Sequence, residues 1–152
     1  MAKNTPPTQF AHNRQAKHNY QIIDSFEVGC VLLGSEVKSI RQGNVQLKEG
    51  YANIVKDELF LEGVYIKPYE NTGGHSAPKS VRTRKLLMHK KQIQNLAMQI
   101  AQQRLSLVPM KLYLKNGKIK LELGLGKGKK AHDKRESIKQ RDVERDLLRY
   151  NR

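Results

Sequence analysis

Cysteine is nearly absent: Cys30 is the only one in 152 residues. A single thiol closes no internal disulfide and builds no Cys-based metal site. Tryptophan is missing, and aromatic residues of every kind make up 6% of the chain, a thin supply for stacking platforms along a single nucleic-acid strand. The longest aliphatic run, Val31-Leu32-Leu33, is far too short to span a bilayer. No signal-peptide pattern opens the sequence, so a cytoplasmic protein without membrane contact is expected. Carboxylates are scarce as well: 14 Asp and Glu face 29 Lys and Arg, a net charge of +15. Solubility asks only for a net charge of about 2–8. So large an excess suits a polyanionic partner.

The positions of the charges sharpen that reading. Residues 1–20 carry Lys3, Arg14 and Lys17 with no carboxylate, and residues 79–91 carry Lys79, Arg82, Arg84, Lys85, Lys90 and Lys91, again with none. From Lys127 onward ten basic residues mix with five acidic ones. The first two stretches are single-sign patches. The last is a zwitterionic strip.

Residues 1–12, with Pro6 and Pro7, show no periodicity and are expected to be disordered. Strand patterns follow at 20–24 and 26–32, with Asp24-Ser25 as the turn. A short helix is expected over 36–41, where Val37 and Ile40 share a face and Ser35 is the candidate N-cap. Strands over 51–56 and 59–66 precede a turn-rich loop, 68–80. Ile93, Leu96, Ala97 and Ile100 recur at i, i+3, i+4, i+7 and predict a helix over 89–104. A hairpin over 110–125 turns at Asn116-Gly117, a pair suited to a type I′ turn. These elements predict a mainly β fold with short helices. The expected form is a small closed antiparallel OB-like barrel of about six strands and two or three helices, and closure would leave no exposed sheet edge. An open split β-α-β sheet is the alternative. The barrel is expected over 13–126 and a flexible basic tail over 127–152.

That tail cannot be core. Burying Ile138, Val143, Leu147, Leu148 and Tyr150 would contribute roughly 8–15 kcal/mol at about 1.5–3 each. Ordering some twenty residues costs on the order of 20–40 kcal/mol in backbone entropy. Yet Glu136/Lys139 and Asp142/Arg145 are opposite charges at i,i+3, and neither Pro nor Gly follows Gly128. A segment that becomes helical along a polyanion fits both facts; a solubilising tail is the plainer alternative.

No catalytic constellation emerges. There is no phosphate loop ending in Lys-Ser/Thr and no His-Glu-x-x-His, and five scattered histidines suggest no metal site. Gly124-x-Gly126-x-Gly128 lacks the βαβ context of a dinucleotide fingerprint. No catalytic residue, metal or cofactor is expected. Arg14, Lys17 and His18 beside Asn13 offer groups for phosphates and base edges. Lys38 and Arg41 lie on one helix face. Arg82, Arg84 and Lys85 form a second cluster, followed by Leu86-Leu87, of which one should enter the core while the other lies among cations or joins it there. Glu27, a carboxylate on a cationic surface, is either a solvated spacer or an acceptor from a base or arginine.

These residues resemble a known family. NRQAKHNY at 13–20, FEVGCVLLGSEVKSIRQGNVQL at 26–47, KPYE at 67–70, RTRKLLMHKKQI at 82–93 and LVPMKLYLKNGKIKLELGLGKGKKAHDKR at 107–135 are similar to SmpB, the SsrA-binding proteins of bacterial trans-translation. The resemblance implies an adaptor, expected to act as a monomer, that binds the tRNA-like domain of transfer-messenger RNA (tmRNA). It also implies delivery of that RNA, with elongation factor Tu, to stalled ribosomes, the tail probing the empty mRNA channel and decoding site. By the same resemblance RNA contacts fall at Asn13, Glu27 and Leu87, with support from Lys38, Arg82, Arg84 and Lys85. Ribosome contacts fall in the tail at Lys129, Lys130, His132, Asp133, Lys134 and Arg135. Gln15 and Asn19 depart from the family's usual basic and acidic residues. The same charges would also suit a general RNA chaperone or another ribosome-associated OB protein.

Overall fold

Asn116 and Gly117, at φ 51° and 74°, turn the longest hairpin of the protein, a left-handed pair that Asn-Gly adopts with little strain. The computed structural model describes residues 9–69, 80–129, 135 and 139–145. In order these form β1 (Gln9–His12), α1 (Gln15–Asn19), β2 (Tyr20–Cys30), α2 (Gly34–Arg41), β3 (Val45–Gln46) and β4 (Tyr51–Val55). There follow β5 (Glu58–Glu62), β6 (Tyr65–Ile66), β7 (Arg84–Leu87), α3 (Lys90–Gln103), β8 (Ser106–Lys115) and β9 (Lys118–Gly128). The fold is mainly β with a few helices.

Hydrogen-bonded neighbours run β1-β8-β4-β5-β7-β2-β9, and β9 also pairs with β8. Six strands, from β8 round to β9, therefore close into a ring, antiparallel at every junction. Alternation along β9 buries Ile119, Leu121, Leu123 and Leu125, which meet Val28, Leu59, Leu61, Leu86, Leu107 and Leu112 in one core. α3 contributes Ile93 and Leu96 to it. Pro109 sits in β8 where the register to β9 shifts, a position at which a missing N–H does little harm. β3 and β6 form a separate two-stranded sheet.

Several sequence expectations change. Asp24-Ser25 is no turn: β2 runs through it, absorbing the irregularity as a register shift against β9 between Ile22 and Asp24. β9 is long enough to pair along the whole stretch, and that continuous ladder overrides the local turn preference. Residues 9–12, expected to be disordered, pair with β8 as β1. α1 was not expected; it is short and uncapped, and buried Ala16 packs it on Val108 and Met110. Ser35 does not cap α2; Leu33 is the N-cap, its N–H bonded to Glu36 Oε1 at 2.9 Å. The strand expected over 59–66 breaks into β5 and β6. β9 continues to Gly128, two residues past the expected barrel boundary. Most of the 68–80 loop lies outside the described residues.

Candidate nucleic-acid interface

Glu36 organises the cationic face from within. Its side chain is 1% exposed, yet it accepts from Arg82 Nε at 3.1 Å and Arg84 Nε at 2.8 Å as well as from Leu33 N–H. Burial opposes its ionisation, but the hydrogen bonds from Arg82, Leu33 and Arg84 outweigh it and hold the carboxyl below its usual pKa. Arg84 is equally buried and also donates to the carbonyls of Val64, Arg82 and Ser80. The sequence placed Arg84 on the RNA surface; that placement is corrected, because a guanidinium sealed among protein acceptors reaches no phosphate. Arg82 is partly exposed, but its fork is engaged by Glu36 and the carbonyls of Val31 and Thr83. Together they tie the N-terminus of α2 to the entry of β7.

β7 alternates accordingly. Arg84 and Leu86 point inward, Lys85 and Leu87 outward. Leu86 is 1% exposed and Leu87 54%, which resolves the leucine pair: the first is core, the second stands on the surface. Gly29 of β2 pairs with Leu87 on one side and Lys120 of β9 on the other. With no side chain, it leaves a notch between them; a Cβ there would touch Leu87 Cδ1 at 3.4 Å. An open groove of about 660 Å³ follows, lined by Glu27, Lys85, Leu87, His89, Lys90 and Lys120 among others. Lys90 was part of the basic patch over 79–91 but was not expected as a contact, and Lys120 was not singled out on the sequence. The outward phase of Lys120 in an alternating strand was legible, but its place across Gly29 from Leu87 was not.

Glu27 lies at the same edge, accepting from Tyr113 Oη at 2.7 Å and Lys115 Nζ at 3.0 Å. The Tyr113 and Lys115 hydrogen bonds lower its pKa, while burial and then the Glu27 bond raise that of Tyr113. Glu27 is therefore an oriented acceptor. Lys85 remains exposed with one loose contact, Glu58 Oε1 at 3.4 Å. Cys30, partly buried nearby, has its thiol pushed up to about 12 by burial and is no nucleophile at neutral pH.

The other candidates fall in two places. Lys38 and Arg41 are exposed on α2, and Lys38 Nζ stands 5.3 Å from the Tyr69 ring centre. Arg14, the N-cap of α1, and Lys17 within it are exposed, with His18 half-buried beside them. Asn13, expected as a contact, is 5% exposed, and its Nδ2 donates to the Pro109 carbonyl at 3.0 Å. It holds the corner between β1 and α1. In the tail, Arg135 and residues 139–145 are helical and exposed, and Arg141 Nη2 lies 3.1 Å from His18 Nδ1. The helical conformation that the sequence reading assigned to a bound state is thus present in 139–145, with no burial to hold it. Lys129 donates its backbone N–H to Asn19. Lys130, His132, Asp133 and Lys134 lie outside the described residues. Among the described residues no group of three His, Cys, Asp or Glu side chains is arranged to hold a metal, and no helix is long and apolar enough to cross a membrane.

Comparison with known proteins assigns the chain. Residues 10–152 match the family model described as "SmpB protein". An SsrA-binding protein of Thermosynechococcus vestitus is 49% identical, covering 91% of each chain. One of Lactococcus lactis subsp. cremoris is 43% identical over the full length of both. A solved structure described as "tmRNA-SmpB: a journey to the center of the bacterial ribosome" superposes with a TM-score of 0.66 at 41% identity, covering 84% of this chain and 87% of that one. With the family model and the full-length relatives in agreement, this chain belongs to the SmpB family.

Proposed function

We propose that this chain is an RNA-binding adaptor of trans-translation, binding the tRNA-like domain of tmRNA and carrying it to stalled ribosomes. The observation that carries the reading is Leu87, 54% exposed on a strand otherwise locked by buried charge and set among Lys85, Lys90 and Lys120. An apolar tip flanked by ammonium groups packs on a ribose or base while the cations take adjacent phosphates. Glu27, held by Tyr113 and Lys115, would accept from a base amino group or a 2′-hydroxyl. The SsrA-binding relatives and the tmRNA-SmpB structure support this partner and the ribosome as the place of action.

The six-stranded ring is read as an OB-like barrel that presents this face, with Arg14, Lys17 and His18 as a second cationic strip and Lys38 and Arg41 as a third. No side chain in the groove is needed as acid, base or nucleophile, so the role is binding and delivery rather than catalysis. The tail from Lys130 is the ribosome-sensing segment, and Arg135 belongs to it. A chain ended after Lys129 keeps all of β9 and tests the division. It is expected to recover tmRNA from a lysate as the full chain does, while tagging on stalled ribosomes disappears. Recovery of a broad mixture of structured RNAs by the full chain would contradict the assignment.

A further inference from the structure

One part of this cationic chain reverses sign. Residues 49–64 hold four carboxylates, Glu49, Asp57, Glu58 and Glu62, against one cation, Lys56: a net −3 within a chain of +15. The stretch contains the β4–β5 hairpin, whose register sets Tyr51 opposite Glu62, Asn53 opposite Phe60 and Val55 opposite Glu58. Ala52, Ile54, Leu59 and Leu61 belong to the interior, so this second set faces outward. Tyr51 is 52% and Val55 47% exposed, and half-buried Phe60 stands apart from the core cluster. Two aromatic rings and a valine therefore share one outer face with Asn53, rimmed by Glu58 and Glu62.

Glu58 and Glu62 outnumber Lys85, which stands opposite Phe60 on this face, so a phosphate backbone is a poor occupant of it. Aromatic side chains at the centre and polar groups around them are the anatomy of a protein interface. The carboxylates retain capacity for a cationic partner. Glu58 makes one long contact with Lys85, at 3.4 Å and half exposure, and Glu62 accepts from Thr83 Oγ1 at 3.4 Å and from the Tyr51 hydroxyl.

We propose that the outer face of the β4–β5 hairpin docks a basic protein surface on the ribosome, one presenting lysine or arginine around an apolar contact. The inference rests on the trans-translation reading. Of the surfaces a ribosome offers, rRNA is repelled here and the basic proteins that neutralise rRNA are attracted. Phe60 pairs with Lys85 across β5 and β7, and Glu58 and Lys85 also line the Leu87 groove, so the face adjoins that groove.

The test uses the full chain with tmRNA on purified stalled ribosomes and a p-benzoylphenylalanine probe at Tyr51, with a second probe at Leu87 in a parallel sample. Irradiation is expected to join the Tyr51 probe to a ribosomal protein, on a peptide bearing lysine or arginine, and the Leu87 probe to tmRNA. An rRNA adduct or no adduct at Tyr51, with tmRNA still captured at Leu87, overturns the docking face and leaves the function standing. Failure at Leu87 counts against the function itself. In parallel, Val55→Lys combined with Glu62→Lys is expected to keep tmRNA affinity and the urea midpoint while weakening ribosome affinity about tenfold. Unchanged ribosome affinity in that folded variant also overturns the proposal.

Discussion

A carboxylate at 1% exposure persists in Glu36 because two guanidiniums and a backbone N–H share its charge. Removing it leaves Arg84 buried and uncompensated, so Glu36→Gln is expected to cost about 3–5 kcal/mol in urea unfolding. Its lowered pKa fixes the sign with pH. A carboxyl depressed in the folded state stabilises above its unfolded value, 4.5, and that contribution fades as pH falls below it through the folded value. Stability should therefore drop below about pH 4.5 in the parent and drop less in Glu36→Gln. This residue also explains what the sequence concealed. Arg82-Thr83-Arg84-Lys85 reads as a phosphate clamp because Glu36 lies more than forty positions away, and only the fold brings it beneath them. For Leu86 and Leu87 the residues alone left open whether both were core, and only the resemblance pointed to Leu87; the phase of β7 buries the first and exposes the second.

At the scale of elements, local chemistry was legible wherever it agreed with pairing. The Asn116-Gly117 hairpin and α3 were readable in periodicity and turn residues. β1 and α1 were not, since their stability comes from β8: β1 through its ladder and α1 through Ala16 on Val108 and Met110. α3 ends at Arg104 in the left-handed region, φ 53°, where a side chain is strained and glycine is not. Arg104→Gly should therefore raise stability by roughly 0.5–1 kcal/mol, seen as a higher urea midpoint. A fall would mean that the arginine side chain makes contacts that outweigh the backbone strain.

For the whole molecule, the net charge of +15 overstates the RNA-facing charge. Arg84 is sealed and Arg82 is engaged by Glu36, while exposed Lys85 and half-buried Lys120 line the groove beside Leu87. Each phosphate contact adds about 0.7–0.9 to the dependence of log affinity on log salt. Lys85→Ala with Lys120→Ala should flatten the slope for tmRNA by roughly 1.4–1.8. A slope that stays at the parent value in salt titrations would move the grip to another face, α1 or α2. Composition alone announced a polyanionic partner; it took the ring of strands to separate cations that face solvent from cations that hold the protein together.

Leu87→Asp offers the most direct measurement, with tmRNA affinity and urea midpoint determined on the same preparation. Because Leu87 supports no core packing, the unfolding free energy from the urea curve is expected to stay within about 0.5 kcal/mol of the parent, while the carboxylate, placed among Lys85, Lys90 and Lys120, weakens tmRNA binding at least about tenfold. A folded variant that binds tmRNA as tightly as the parent would contradict the account.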